Sequence, residues 1–576
     1  MLAVALIIFN GCQKEGEFYE ENPYLAEEQD SHYNEGKMVI GEKLKNPYSV
    51  QNMHKAYNNL RTDNKLKSAV NIETTHFYVR FRPKSFQELN ILTRDTTLHI
   101  YDYPLDVEIK RGGTHYHDPS IPRNQITWQY TVVPVDYTFP NIQHQKLADL
   151  FLQEETGKLE ELKSGSIDYF DWLTLETEAL RITGNLKEDE PNGVELKSTR
   201  WRPCGTIKVH DDILIGTTTE AIFDHWEYYP CPEDTENPND PSSPEEIVED
   251  LPYEECRRAV YRYEIVPSGS HLIALKGATV RARRWFTTHK GITDANGTFV
   301  CDGTFSRDAN YSIKWERWDF DIRDGQYGQA YFNGPKQSGP WNLNIESEHT
   351  PKSHLFAHIF RAAHTYYYDH NHWGIKAPPR RDGVLGALQH RLHIAGIDGP
   401  GRSKYYTFKE FALAAQIKVY RNNGNSKDIF GTTIHELSHA SHWEIGYSTS
   451  QYVVDAIFSG KRLPESWATG VETVILDEIY GTNHSERKQH LRISDMTNGG
   501  EWDGYTCIVW DMIDTHNQRD NGQLFPDDDV ENYTLSQLEG ALFYSPSSWW
   551  GWRDEIKNRF NNPTGNHLDK LFDDLN

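Results

Sequence analysis

The run from His435 to His439, which reads His-Glu-Leu-Ser-His, constrains the fold of this chain more than any other feature of its sequence. Histidines four residues apart leave the same face of a helix, so both imidazoles can bind one metal ion. Glu436 then points to the side of the pair, where its carboxylate can take a proton from a metal-activated water. The pattern therefore predicts a helix from about Gly431 to Trp443 that carries a metal site.

A second stretch, from Glu465 to Glu472, follows His439 after an interval of 25 residues. Catalytic zinc sites use three protein ligands and keep one position open for water, and Glu465 is well placed to be the third ligand. Pro464 suits the first turn of a helix, which we expect to run to about Tyr480. Glu472 lies two helical turns beyond Glu465 on the same face, so it can orient a ligand histidine.

These two stretches together resemble the gluzincin metallopeptidases, in which the third zinc ligand is a glutamate on a later helix. The segment Glu465–Glu472 is similar to the Glu-Gly-Phe-Ala-x-x-x-Glu segment of the aminopeptidase branch, and Ala357–Tyr368 resembles the aromatic helix that opens the catalytic domain of thermolysin-like enzymes. The resemblance covers about residues 350–480. It implies a Zn²⁺ cofactor and hydrolysis of a peptide or protein substrate. The implied roles are zinc ligand for His435, His439 and Glu465, and general base for Glu436.

Gluzincins often stabilise the oxyanion with a tyrosine or histidine from the C-terminal side of the site. Three residues are candidates, and the sequence does not choose among them: Tyr480, Tyr505 and His516. His442 follows His439 by three residues, so it can also approach the metal. A metzincin would need a glycine and a later third histidine. We therefore interpret His442, like Glu472, as a residue that supports the ligands.

Three other interpretations stay open. The two histidines can be core residues, with Glu436 a surface acid of the same helix. A metallopeptidase fold can also serve without catalysis, as an accessory subunit of an outer-membrane protein complex. The aromatic cluster Trp549–Trp552 suggests a glycan-binding lipoprotein, although a buried helix junction explains the cluster more simply.

The N-terminus resembles a bacterial lipoprotein signal. A short apolar run, Leu2–Phe9, leads to a small residue before Cys12 and is too short to span a bilayer. No Lys or Arg precedes the run, which departs from the usual signal. The acidic segment Gln13–Glu17 resembles the signals that export some Gram-negative lipoproteins to the cell surface. We therefore expect an outer-membrane lipoprotein, anchored by lipid on Cys12 and exposed at the cell surface.

The formal net charge of −26 disfavours nucleic acid and anionic membrane surfaces as partners. Beyond Cys12 there are five cysteines, and none forms a Cys-x-x-Cys pair, which disfavours a thiolate zinc site. An odd number leaves at least one thiol free. Cys231 and Cys256 flank an acidic, proline-rich loop and are the best candidates for a disulfide.

At 576 residues the chain is long enough for several domains, and its patterns predict a multi-domain α+β protein. We expect a small N-terminal α+β module, a middle β-sandwich and a mainly helical, metallopeptidase-like C-terminal domain with a small sheet. The segment Thr293–Phe299 and the strand before it resemble the carboxypeptidase regulatory-like β-sandwich. The predicted divisions are 1–12 for the signal, 13–70 for a tether, 71–195 for the N-terminal module, 196–348 for the sandwich with an insertion at 211–275, and 349–576 for the catalytic domain.

Local patterns add further predictions. Ala414–Tyr420 alternates like a strand and precedes the metal helix, so it is the best candidate for an edge strand to which an extended peptide can add. Asn296-Gly297 predicts a hairpin turn. Residues 141–190 and Tyr505–His516 are expected to be helical. Two further histidine pairs are interpreted as loop or packing residues rather than second metal sites: His115 with His117, and His354 with His358.

Overall fold

The computed structural model describes the chain over residues 35–63, 65–66, 69–153, 169–186, 200–213, 217–230, 255–267, 272–325, 328–378, 381–382, 389–405, 415–447, 462–481, 491–497 and 503–576. Helices and several separate sheets are both present, so the predicted multi-domain mixture of the two is confirmed at that level. The predicted signal with Cys12 lies outside these ranges, as does Cys231. Within them, no helix is long and apolar enough to cross a membrane.

The helices in the described ranges are α1 (Val50–Thr62), α2 (Phe86–Arg94), α3 (Tyr169–Thr183), α4 (Pro351–Trp373), α5 (Ser426–Tyr447), α6 (Arg462–Tyr480), α7 (Ile493–Met496), α8 (Ile508–Asp511), α9 (Leu535–Leu542), α10 (Trp549–Arg559) and α11 (Leu568–Asp574). The strands are β1 (Val39–Lys43), β2 (His76–Phe81), β3 (Val107–Arg111), β4 (Gln129–Pro134), β5 (His144–Leu150), β6 (Cys204–His210), β7 (Thr217–Pro230), β8 (Glu255–Pro267), β9 (Leu272–Ala274), β10 (Thr279–Arg284), β11 (Thr287–Ile292), β12 (Thr298–Val300), β13 (Ala309–Lys314), β14 (Phe320–Asp324), β15 (Gly328–Gln329), β16 (Tyr331–Gln337), β17 (Trp341–Ile345), β18 (Arg381–Asp382), β19 (Gln389–His390), β20 (Leu392–Ile397), β21 (Lys404–Tyr405) and β22 (Ile417–Tyr420).

The N-terminal module contains a three-stranded antiparallel sheet in the order β4-β2-β5. Its core places Tyr78 of β2 with Leu175 and Ala179 of α3. The prediction that residues 141–190 are helical is wrong at its start, since β5 is a strand that pairs with β2 from His76↔Leu150 to Phe81↔His144. Pairing with a central strand outweighs the helical preference of this polar segment, and within the predicted stretch the structure has the helix α3.

The middle region contains two sheets, one in the order β11-β10-β13-β16 and one in the order β12-β6-β17 with β9 beside β6. They share a core, in which Phe299 packs edge-on against Tyr311 at 6.2 Å between ring centroids. The predicted hairpin at Asn296-Gly297 is wrong, because the turn joins β11 of one sheet to β12 of the other. The Asp294 carboxylate closes this turn by accepting the N–H groups of Asn296 and Thr298.

A long antiparallel ribbon, β7 with β8, lies in the predicted insertion. Among the described residues, neither strand pairs with any other strand. The proposed Cys231–Cys256 disulfide has one end outside the described residues. Three cysteines within the described ranges are free thiols: Cys204, Cys301 and Cys507.

The sheet closest to the metal helix runs in the order β15-β14-β20-β22-β21, with parallel pairing of β14 to β20 and of β20 to β22. The predicted edge position of Ala414–Tyr420 is wrong, because β21 covers the outer side of β22. A strand of two residues leaves no alternation that a sequence pattern can reveal. Strands β14 and β15 precede residue 349, so this sheet takes strands from both sides of the predicted domain boundary.

Helix α5 packs between α4 and α6. Fully buried side chains from all three helices fill the interior, among them Phe356, Leu437 and Trp467. The predicted helix Tyr505–His516 shrinks to the four residues of α8. Its last residue, the buried Asp511, accepts a hydrogen bond of 2.6 Å from Gln518 Nε2, which turns the following chain back on itself.

Candidate metal centre

Helix α5 begins against the loop that follows β6. The backbone N–H and the hydroxyl of Ser426 both donate to Asp212 Oδ2 at 3.0 Å, which satisfies a donor that every helix start leaves open. Further along, Ile434 and Leu437 are fully buried in the core. These contacts fix the rotation of the helix, so that the face with His435 and His439 is directed at α6.

Two residues of α5 and one of α6 each direct one donor atom to a common point. His439 Nε2 lies 3.1 Å from His435 Nε2, and both nitrogens lie 3.2 Å from Glu465 Oε2. The three atoms form a nearly equilateral triangle, called the donor triangle below. The three side chains are only 12–16% exposed, which leaves a narrow approach from solvent.

The donor triangle suits a divalent metal ion. Ligands about 2.0–2.1 Å from a tetrahedral zinc lie about 3.3–3.4 Å from one another, close to the edges of this triangle. Two imidazole nitrogens with one carboxylate oxygen are a donor set typical of zinc. Burial lowers the pKa of His435, but hydrogen bonds with Glu465 and Glu472 outweigh it and raise that pKa to about 10. The site therefore attracts positive charge.

Glu465 is ionised in this setting. Burial alone would raise the pKa of its carboxyl group, but the charge of His439 and hydrogen bonds from both histidines hold that pKa well below its usual value. An ionised carboxylate is the form that binds a metal.

Glu472 supports the donor triangle from the side of α6. Its Oε2 lies 3.2 Å from His435 Nδ1, so it holds a ring proton on Nδ1. A metal that displaces the other proton can then bind Nε2. Gly431, one turn before His435, makes room for this contact. A Cβ at position 431 would lie 2.8 Å from Glu472 Oε1 and 2.9 Å from a methyl carbon of Leu476.

Glu436 follows His435 of the donor triangle in sequence and is 6% exposed. Burial raises the pKa of its carboxyl group to about 7, against the lowering effect of His439 and His435. Its Oε2 is buried without a hydrogen-bond partner in the described part of the chain. A carboxyl group with a pKa near neutrality can both accept and return a proton, as a general base must.

Tyr505 is the oxyanion candidate that the structure brings to the donor triangle. Its ring stacks on that of His435, with 6.0 Å between centroids and 25° between planes. The adjacent Thr506 fixes this loop to α6, since its N–H and hydroxyl donate to Ser466 Oγ at 3.2 and 2.8 Å. Ser466 follows Glu465 in sequence, so one turn of α6 holds both the loop with Tyr505 and the carboxylate of the donor triangle.

Tyr480, another of the three oxyanion candidates, is not brought to the donor triangle by the structure. It is 15 residues beyond Glu465 on α6, about 22 Å along the helix axis. Its hydroxyl donates to Asp211 Oδ2 at 2.9 Å and accepts from Arg361 at 3.0 Å. The hydroxyl is therefore bonded to both members of a buried ion pair. His516 is an exposed loop residue whose backbone N–H donates to Asp514 Oδ1.

His442 and the tryptophan cluster belong to the packing around the site. His442 Nε2 donates to the carbonyl of Pro546 at 2.7 Å, and burial lowers the pKa of this ring to about 4. Trp549 and Trp552 are at most 8% exposed, with their indole N–H groups bonded to backbone carbonyls. Both observations describe a helix junction that holds the C-terminal end of α5.

Sequence reasoning missed the residues that hold the site together. Gly431 carries only a weak signal, a glycine in a helix interior, which usually means close packing. Ser466 and Asp212 carry no signal in the sequence, because each bonds to a distant residue. Ser466 lies 40 residues from Thr506, and Asp212 lies 214 residues from Ser426.

Comparison of the chain with protein-family models, with curated proteins and with solved structures finds no match.

Proposed function

We propose that this chain is a zinc-dependent metallopeptidase with a gluzincin-like C-terminal domain. The donor triangle carries the proposal: His435 and His439 lie one turn apart on α5, and Glu465 of α6 completes the set at 3.1–3.2 Å. Such a set leaves the fourth tetrahedral position open to water, as catalytic zinc sites do.

Zinc held by the donor triangle would supply an activated water and polarise the scissile carbonyl. Glu436 takes the proton of the attacking water and passes it to the leaving amine. Its burial makes this exchange favourable near neutral pH, because the pKa of its carboxyl group is raised to about 7. Glu472 keeps the ring proton of His435 on Nδ1, away from the donor triangle.

Tyr505 is the proposed oxyanion donor. Its ring stacks on a triangle residue, and its half-buried position leaves it accessible from the side of the substrate. A neutral hydroxyl that donates to the developing oxyanion contributes about 3 kcal/mol of transition-state stabilisation.

We further propose that lipid on Cys12 anchors the chain in the outer membrane, with the site facing peptides or proteins at the cell surface. The short apolar run before Cys12 and the acidic residues after it support this location. A non-catalytic accessory subunit of an outer-membrane complex is the alternative, and the same residues would anchor it.

Zinc content and hydrolysis separate the two functions. The purified protein should hold zinc at the donor triangle, and Glu465→Ala should lose that equivalent. Glu436→Gln should keep all bound zinc and lose at least 100-fold in the cleavage rate of a mixed peptide library, because the base is gone.

Glu539→Gln is a matched control for Glu436→Gln. Glu539 is also a buried acid whose pKa burial raises to about 7, but it accepts the N–H of Lys376 at 2.9 Å. The Glu539→Gln variant should cleave peptides at the same rate as the unaltered protein. Zinc binding without any cleavage, unchanged in Glu436→Gln, would favour the accessory subunit. Absence of zinc from the donor triangle even after reconstitution would overturn the peptidase proposal.

A further inference from the structure

A second group of metal-binding side chains lies at the start of α5. His210 and Asp212 come from the end of β6 and the loop after it, and His354 comes from α4. One donor atom from each residue lies within 4.8 Å of the others. These three residues are called the His210 group below. Two chain segments more than 140 residues apart in sequence build it, so it is not a by-product of one local sequence pattern.

The carboxylate of Asp212 is held so that its two oxygens have different roles. Oδ2 accepts both hydrogen bonds from Ser426, while Oδ1 lies 3.4 Å from His210 Nδ1. No lysine or arginine forms an ion pair with Asp212 in the described part of the chain, whereas the neighbouring Asp211 pairs with Arg361 at 2.6 Å. The negative charge of Asp212 therefore faces imidazoles.

His354 is 1% exposed and has a nitrogen with no partner. Its Nε2 lies 2.8 Å from the carbonyl oxygen of His210 and 3.5 Å from Ser426 Oγ, while its Nδ1 is buried without a hydrogen bond. The ring proton can therefore move to Nδ1 when Nε2 binds a metal.

Solvent can reach the His210 group from one side. The side chains of His210 and Asp212 are 32% and 29% exposed, so an ion can enter and keep water ligands. Two imidazoles and one carboxylate are a donor set for a first-row divalent ion. We propose that the His210 group is a second zinc site, separate from the donor triangle, which ties the start of α5 to β6 and α4.

Counting zinc in single and combined variants tests this proposal, and the test does not depend on catalysis. The full chain is stripped with a chelator, loaded with Zn²⁺ alone, desalted and assayed for metal per chain. The unaltered protein should hold two equivalents. Glu465→Ala and Asp212→Asn should each hold one, and the combined variant none. Asp212→Asn keeps an oxygen for Ser426, so the start of the helix keeps its contact.

Asp428→Asn is the matched control, because Asp428 is an exposed acid in the first turn of the same helix. It should hold two equivalents. His210→Gln is the second variant should Asp212→Asn fail to fold, since its carbonyl contacts with His354 do not involve the ring. Metal content unchanged in Asp212→Asn, or in His210→Gln where the former does not fold, would overturn the second site.

Thermal unfolding gives an independent readout. In the Glu465→Ala background, Zn²⁺ should raise the melting temperature, because it binds the folded chain through the His210 group. Adding Asp212→Asn should abolish this shift. An equal shift in both proteins would overturn the proposal. If the donor triangle binds no zinc, the unaltered protein should still hold one equivalent that Asp212→Asn removes, so the two proposals can fail separately.

Discussion

His435 Nδ1 lies 3.2 Å from Glu472 Oε2, while Nε2 of the same ring lies 3.2 Å from Glu465 Oε2. One imidazole of α5 thus spans two glutamates of α6 that are two helical turns apart. The first contact places the ring proton, and the second belongs to the donor triangle. The orientation of the ring is therefore set before any metal arrives, which reduces the entropy lost on binding.

Removal of this orienting contact should weaken the metal site. We expect Glu472→Ala to raise the dissociation constant for Zn²⁺ at the donor triangle by about 10- to 100-fold, because the ring of His435 loses its fixed proton position. Chelator competition measures this dissociation constant, and an Asp212→Asn background removes the contribution of the second site. Glu478→Ala is the control, since Glu478 lies on the same helix and is 48% exposed. Equal affinity in both variants would contradict the orienting role.

Gly431 gives a second, steric test of the same contact. In Gly431→Ala the new methyl group would lie 2.8 Å from Glu472 Oε1, so the carboxylate that contacts His435 must shift. Zinc affinity should fall by about tenfold, part of the effect expected from loss of the contact. In a Glu472→Ala background the same substitution should have no further effect on affinity, because the two changes act on one contact.

Gly540→Ala is the matched control for this substitution. Gly540 also lies in a helix, but a Cβ there would meet only Phe560, at an ordinary 3.5 Å. Alanine should be tolerated or slightly stabilising there, by up to about 1 kcal/mol from helix propensity. A zinc affinity that Gly431→Ala leaves unchanged would mean that Glu472 relaxes without losing its bond to His435.

The sequence predicted the parts of the site that follow a helical period. His435 and His439 lie one helical turn apart with Glu436 between them, and Glu465 and Glu472 lie two turns apart, so the helical period predicts their positions on α5 and α6. The sequence does not choose between Tyr505 and Tyr480, because the choice depends on which ring the fold brings to His435. Tyr480 is the last residue of α6, whereas Tyr505 lies in a later loop. A contact from Thr506 to Ser466 holds that loop, and no period connects these two residues.

Pairing between strands was the weakest part of the prediction. Alternation identifies Ile417–Tyr420 as a strand but does not show its neighbours, so β22 was expected at an edge and lies inside the sheet. Likewise, Asn296-Gly297 marks a turn correctly but does not reveal that the two strands it joins enter different sheets. The His210 group was missed for the same reason, since Asp212 lies 142 residues before His354.

Tyr505→Phe should separate catalysis from metal binding. Loss of the hydroxyl should lower kcat by about 10²- to 10³-fold with little change in KM, because the bond to the oxyanion exists only in the transition state. Zinc content should not change, since the phenyl ring still stacks on His435. Tyr544→Phe is the control, as Tyr544 is 60% exposed. Equal kcat in the two variants would exclude Tyr505 as the oxyanion donor.

Glu539 predicts a pH dependence of stability that is independent of zinc. Burial raises the pKa of this carboxyl group from 4.5 to about 7 in the folded chain. The folded state therefore holds its proton more tightly than the unfolded state, so this group's contribution is fully present below about pH 4.5 and is lost as the pH rises to about 7. Glu539→Gln should therefore stabilise the chain relative to the unaltered protein more at pH 8 than at pH 5. The difference between the two gains in the free energy of unfolding should be at most about 3 kcal/mol. Urea unfolding of the chelator-treated protein at both pH values measures this, with Glu478→Gln as the surface control. A gain of equal size at both pH values would show that the carboxyl group does not titrate in this range.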